Sequence, residues 1–257
     1  MTFSDLISQL KEFNNTVTLH PNYLFRGQAD KSWGLQPSLT RIAKKKEFTR
    51  QEILQLEREC INRFSVSARN LLPIENTVTL LPNMKGEIDF MGWSVVMQHY
   101  SAPTRLLDWS CSPWVALYFA CCEGESDGAI FISDFEKINK EANKKIEAAG
   151  KEFYPLTIDL ESPNILQSIT SYNTNERIEA QQGRFLVCTN PLIDHEKLLN
   201  EFDGLRKITI PQNMKQEIMN ELYHMNITAR TLFPGIDGLG KSTSEYCNLW
   251  DKRSKII

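Results

Sequence analysis

The stretch Met97 to Cys122, MQHYSAPTRLLDWSCSPWVALYFACC, constrains the fold more than any other part of the chain. Its second half begins at Ser110 or Ser112 as a helix N-cap, with Pro113 at the first helical position, where its missing N–H costs nothing. Trp114, Leu117, Tyr118 and Cys121 then recur at helical spacing, while Val115, Ala116, Phe119 and Ala120 fill the other faces. A helix apolar on nearly every side has to be central. Its first half places His99, Tyr100, Thr104, Arg105 and Asp108 within ten residues, with Leu106 and Leu107 between the last two charges. Apolar residues framed in this way read as a buried strand whose ends emerge at a cleft. Polar groups are thus mounted on rigid scaffolding, as a site requires. The competing reading is that Arg105 and Asp108 form a buried ion pair that only fixes the fold.

Around this centre the pattern gives separate strands and helices. NYLFRG (22–27) reads as a strand ending in a glycine turn, with GAIFIS (128–133), RFLVC (184–188) and LRKITI (205–210) as further strands. Helices are expected over 49–70, with Ile53, Leu56, Cys60 and Phe64 on one face, over 86–99 and over 137–149. Another follows Pro211, carried by Met214, Ile218, Leu222 and Met225. There is no regular strand–helix alternation and no GxGxxG. The expected fold is therefore α+β, a single domain with a mixed or split sheet among helices. A short amphipathic start, residues 1–21, precedes the main domain over 22–245, and 246–257 reads as a tail.

Composition excludes some classes. With 257 residues, 41% hydrophobic content and a net charge of −3, the chain has material for a sizeable core and no overall pull toward nucleic acid or anionic lipid. The basic run Arg41, Lys44, Lys45, Lys46 and Arg50 reads as a solvated face. Six cysteines lack any CxxC pair or regular spacing with histidine, so neither a zinc site nor a disulfide framework is expected. No apolar run has membrane-spanning length and no leader pattern is visible, so a cytoplasmic protein with reduced thiols and no membrane partner is expected.

Three places have the residue types of a site. In YLFRGQ, Arg26 ends an apolar strand next to Gly27, a geometry that presents a guanidinium to phosphate or carboxylate; its competing role is a salt bridge across the sheet. The second is HYSAPTRLLDW. The third is NERIEAQQGRF, where Gln181 and Gln182 precede a glycine-led strand and offer amides for ribose or base edges. Residues 235–242, GIDGLGKS, fit the phosphate-loop expression GxxxxGK[ST]. They follow LFP rather than a strand, however, and no parallel sheet is expected, which argues against a nucleotide-hydrolysing loop.

YLFRGQ, QHYSAPTRLLDWSCSPWVALYFAC, RIEAQQGRF and NITARTLFPGIDGL together resemble the FRG family in content and order, from about Asn22 to Glu245. In motif order that family is similar to the ADP-ribosyltransferase superfamily, and bacterial members appear in toxin, toxin–antitoxin and anti-phage defence settings. The resemblance implies an ADP-ribosyltransferase-like core and an NAD-dependent ADP-ribosyltransferase modifying RNA or protein, with NAD as substrate, no metal, and a neutralising antitoxin as a possible partner. On this reading Arg26, Thr104 (or Ser110), Asp108 and Gln181 are catalytic. Arg26, Gly27, His99, Tyr100, Arg105 and Gln182 bind NAD, with Arg26 on the pyrophosphate or ribose and Tyr100 stacked on nicotinamide. Such transferases commonly place a glutamate where this chain has Gln181 or Gln182. An amide holds a hydroxyl but takes no proton, so the base falls to Asp108, Glu179 or His99. The alternative is a non-catalytic module that binds a nucleotide or nucleic acid in the same cleft.

Overall fold

The computed structural model describes residues 2–13, 21–68, 71, 89–170 and 176–249. Among them six strands form one sheet in the order β4-β5-β2-β1-β3-β6, antiparallel at every pairing. They are β1 (Tyr23–Gln28), β2 (Leu106–Ser110), β3 (Gly128–Asp134), β4 (Leu166–Ile169), β5 (Gly183–Cys188) and β6 (Leu205–Ile210). Among the described residues twelve α-helices surround the sheet: α1 (Phe3–Glu12), α2 (Ser38–Lys45), α3 (Arg50–Ala68), α4 (Phe90–His99), α5 (Pro113–Cys121), α6 (Phe135–Ala149), α7 (Phe153–Ile158), α8 (Glu176–Ala180), α9 (His195–Glu201), α10 (Lys215–His224), α11 (Ala229–Leu232) and α12 (Ile236–Leu249). This is a single α+β domain. Its sheet is continuous and antiparallel rather than mixed or split, because each partner of a site-bearing strand runs against it. No helix among the described residues is long and apolar enough to cross a membrane.

Alternation along the strands divides the core into two layers. On one face Phe25, Ile130, Ile132 and Ile210 pack against α5, α10 and the Leu6 and Leu10 side chains of α1, so the amphipathic start is built into the main core. On the same face Leu106, Phe185 and Val187 meet Met91 and Val95 of α4. The opposite face carries Leu24, Leu107, Trp109, Phe131 and Leu186 against Ile138 of α6 and Leu198 and Leu199 of α9. The start of α5 follows its sequence signals: Ser112 is the N-cap, its hydroxyl accepts from the Val115 N–H, and Pro113 opens the helix.

Two expectations change. The first strand does not end in a glycine turn; it continues through Gln28, and Gly27 pairs with Ile130 inside it. Glycine is needed there for packing, because a Cβ at Gly27 would lie 1.8 Å from the Ala116 carbonyl oxygen and 2.7 Å from the Ala120 nitrogen. Both are backbone atoms, so α5 would have to move off the sheet. Gly27→Ala is expected to destabilise the protein by about 1–3 kcal/mol through this overlap. An unchanged urea midpoint would show that α5 lies farther from β1. The second change is at the chain's end: α12 runs through Leu249, beyond the boundary expected at 245, and the rest of the expected tail lies outside the described residues.

Candidate functional site

Asp108 is the only exposed residue of β2; Leu106, Leu107, Trp109 and Ser110 around it are buried. Asp108 pairs with Phe185 of β5, and its exposed carboxylate means that helices do not cover the sheet at this point, so the opening is a cleft. Alternation puts Asp108 on the face that carries α4 and α5. Gln98, in the last turn of α4, donates its amide to Asp108 Oδ2 at 2.7 Å. The Thr104 hydroxyl donates to Gln98 Oε1 at 2.5 Å, and Thr104 is itself buried. A threonine thus fixes an amide, and the amide fixes a carboxylate. Thr104 therefore acts as a positioning residue and does not face the opening.

Arg26 lies across the neighbouring strand boundary. β1 and β2 pair at a single register position, Phe25 with Ser110, and beyond it the Arg26 Nη1 donates to the Asp108 carbonyl oxygen at 2.6 Å. Burial holds the guanidinium pKa below its usual value, with Asp108 opposing that shift and Arg41 adding to it. No carboxylate among the described residues is within ion-pair distance of Arg26, and its Nε has no hydrogen-bond partner among them. The expected cross-sheet salt bridge is absent among the described residues. Beneath it, burial and the Arg26 charge push the His195 imidazole down to about 3, so it remains neutral.

The third expected segment meets the second through Ser110, whose hydroxyl donates to the Gln181 carbonyl oxygen at 2.7 Å. The Gln181 amide donates to the Leu232 carbonyl at 2.9 Å, holding α11 beside the cleft. Gln182 is exposed in a left-handed turn (φ 47°), and its carbonyl accepts from the Cys111 N–H. β5, β2 and β1 are adjacent, so the three segments singled out in the sequence occupy neighbouring strands.

Three cavities open along this line. One of 60 Å³ is lined by Gln98, His99, Asp108, Gln181 and Arg177, among others. The next, 760 Å³, has His99, Tyr100, Arg177, Phe233 and Lys241. The third, 540 Å³, has Arg26, Gly27, Trp33, Arg177, Phe233 and Lys241. Arg177 borders all three. Tyr100 is exposed, and its ring meets His99 edge-on at 4.8 Å. Burial, then the charge of Arg177, hold the His99 imidazole below its ordinary pKa. Among the described residues no group of three His, Cys, Asp or Glu side chains is arranged to hold a metal ion.

Arg105 does not join the cleft. It is 1% exposed, donates from Nε to both Glu57 oxygens at 2.7 and 2.9 Å, and pairs with the same carboxylate through Nη2. Nη1 donates to the Thr157 carbonyl at 2.9 Å, so the guanidinium is consumed inside the protein. Its ion-pair partner is Glu57 of α3, not Asp108, and the expected cofactor contact is replaced by a structural one. Sequence reasoning did not single out Arg177 as a site residue and considered Lys241 only as a phosphate-loop lysine. Residues 236–242 are the beginning of α12, a continuous helix, so GIDGLGKS makes no phosphate loop.

Residues 21–128 match the family model of the FRG domain, which takes in β1, α2 to α5, β2 and the first residue of β3. RIEAQQGRF and NITARTLFPGIDGL lie beyond the matched stretch. No curated protein and no solved structure matches the chain.

Proposed function

We propose that this FRG-domain chain is an NAD-dependent ADP-ribosyltransferase that works in the cleft over β5, β2 and β1, with RNA or protein as acceptor. The observation that carries this reading is Arg26: a partly buried guanidinium, anchored by one carbonyl, with no carboxylate among the described residues in pairing distance and a buried, unpartnered Nε. A partly desolvated cation without a counter-ion carries a cost, and an anionic ligand lowers it. Aromatic surface at Trp33 and Tyr100 and volumes of 540 and 760 Å³ fit a ligand of dinucleotide size. NAD supplies an activated bond between its nicotinamide nitrogen and ribose C1.

When that bond breaks, the electron pair leaves with nicotinamide, and the acceptor nucleophile bonds C1 and releases a proton. In this reading Asp108 takes it; the hydrogen bond from Gln98 to its carboxylate supports that role by fixing the group's orientation. His99 lines the same small cavity. Glu179, the other carboxylate of the late segment, is exposed on α8. Gln181 and Ser110 act as positioning residues.

Calorimetric titration with NAD tests the reading. Wild-type protein is expected to bind, and Arg26→Ala to bind at least about tenfold more weakly, the loss of one charge-assisted contact, while its thermal midpoint stays near that of wild type. Growth arrest on expression in a bacterial host should disappear in the same variant. Equal NAD affinity in the two proteins removes Arg26 from the site. Binding with no release of nicotinamide would favour the non-catalytic module instead.

A further inference from the structure

Two cations converge on one aromatic ring where the cavities join. Arg177 of α8 places its Cζ 4.8 Å from the Phe233 ring centroid, and Lys241 of α12 places its Nζ 3.8 Å from it. Phe233 is 8% exposed and is braced edge-on by Phe119 of α5 at 6.0 Å, so a ring anchored in the core sets the positions of both charges. Neither cation is in an ion pair among the described residues. The ring's quadrupole attracts each of them but neutralises neither. Two like charges held against one ring repel each other, and the arrangement is relieved by a multivalent anion between them.

We infer that Arg177 and Lys241, seated on Phe233, form a diphosphate clamp, and that the ligand class taken by the cleft is a nucleoside diphosphate or its ester. This rests on the reading above and adds the residues that meet the diphosphate. The pair supplies complementary donors: a planar fork from arginine and a point charge from lysine. Arg26 also borders this 540 Å³ cavity, although alternation along β1 turns its side chain to the face opposite Asp108, so the two cations that face the recess, which is large enough for a nucleotide, are Arg177 and Lys241. A nucleic-acid track fits less well. Single strands are held by exposed rings on which bases stack, whereas the Phe233 ring is buried and already occupied by cations. Lys241 is the lysine of the GLGKST stretch, and it reaches the recess from the second turn of a helix instead of from a loop.

Calorimetry with inorganic pyrophosphate, ADP and ADP-ribose tests the clamp. The proteins are wild type, Arg177→Ala, Lys241→Ala, the double variant, and Lys144→Ala as a control on the exposed side of α6. Each single clamp variant is expected to bind ADP roughly tenfold more weakly, as for a lost charge-assisted hydrogen bond, and the double variant not measurably. Lys144→Ala should match wild type, and raising the salt should weaken binding in every protein that binds. Unchanged ADP affinity in the folded double variant overturns the clamp. So does a wild-type protein that binds none of the three probes, or one that binds only a short single-stranded RNA through these two residues. Arg26-dependent NAD binding that survives in the double variant would sink the clamp and leave the transferase reading standing. Clamp-dependent ADP binding without nicotinamide release would do the reverse.

Discussion

Arg105→Ala is expected to lose about 3–5 kcal/mol of stability, the cost of leaving one member of a buried ion pair alone. Arg105 and Glu57 are 1% and 3% exposed, so neither charge has water to fall back on. Removing the guanidinium also takes the donor from the Thr157 carbonyl and opens space beside Phe90, whose ring centroid is 5.5 Å from Arg105 Cζ. Glu57→Gln should be milder, because an amide oxygen still accepts from Nε. Replacing both by apolar residues of similar volume, Arg105→Met with Glu57→Leu, is expected to recover most of the loss. Urea midpoints of the three proteins decide the matter. If Arg105→Ala is as stable as wild type and loses NAD binding instead, Arg105 belongs to the cleft, as the sequence led one to expect.

The second large effect is chemical. Asp108→Asn is expected to slow nicotinamide release by about 10² or more, the usual contribution of a positioned acid or base. Asparagine keeps the shape and still accepts from Gln98 at one oxygen, so thermal stability and NAD affinity should change little. Thr104→Val tests the support beneath it: losing the hydroxyl frees Gln98 to rotate, and activity should fall less than in Asp108→Asn. A rate equal to wild type in Asp108→Asn would end the proposed role and return attention to His99.

What the sequence revealed depends on the distance over which each signal acts. The Ser112–Pro113 start of α5 and the strands β1, β3, β5 and β6 rest on neighbours a few residues apart, and all are where the pattern puts them. β4 has the half-buried pattern of an edge strand, and α7 and α8 are six and five residues long, too short for helical periodicity to register. The contiguity of YLFRGQ, HYSAPTRLLDW and AQQGRF was legible as motif order, because each segment is a strand or the turn before one. Arg105 was misread because its partner is 48 residues away on α3, where Glu57 is buried among apolar residues. Arg177 and Lys241 were passed over for the same reason: only the tertiary fold brings Phe233 between them.

The most direct measurement is a crystal structure with a slowly hydrolysed NAD analogue bound. The analogue's nicotinamide ribose is expected within hydrogen-bond reach of Asp108 and its diphosphate against Arg26, Arg177 and Lys241. An analogue found on another face of the protein, or bound in this cleft with its phosphates turned away from all three cations, would contradict that expectation.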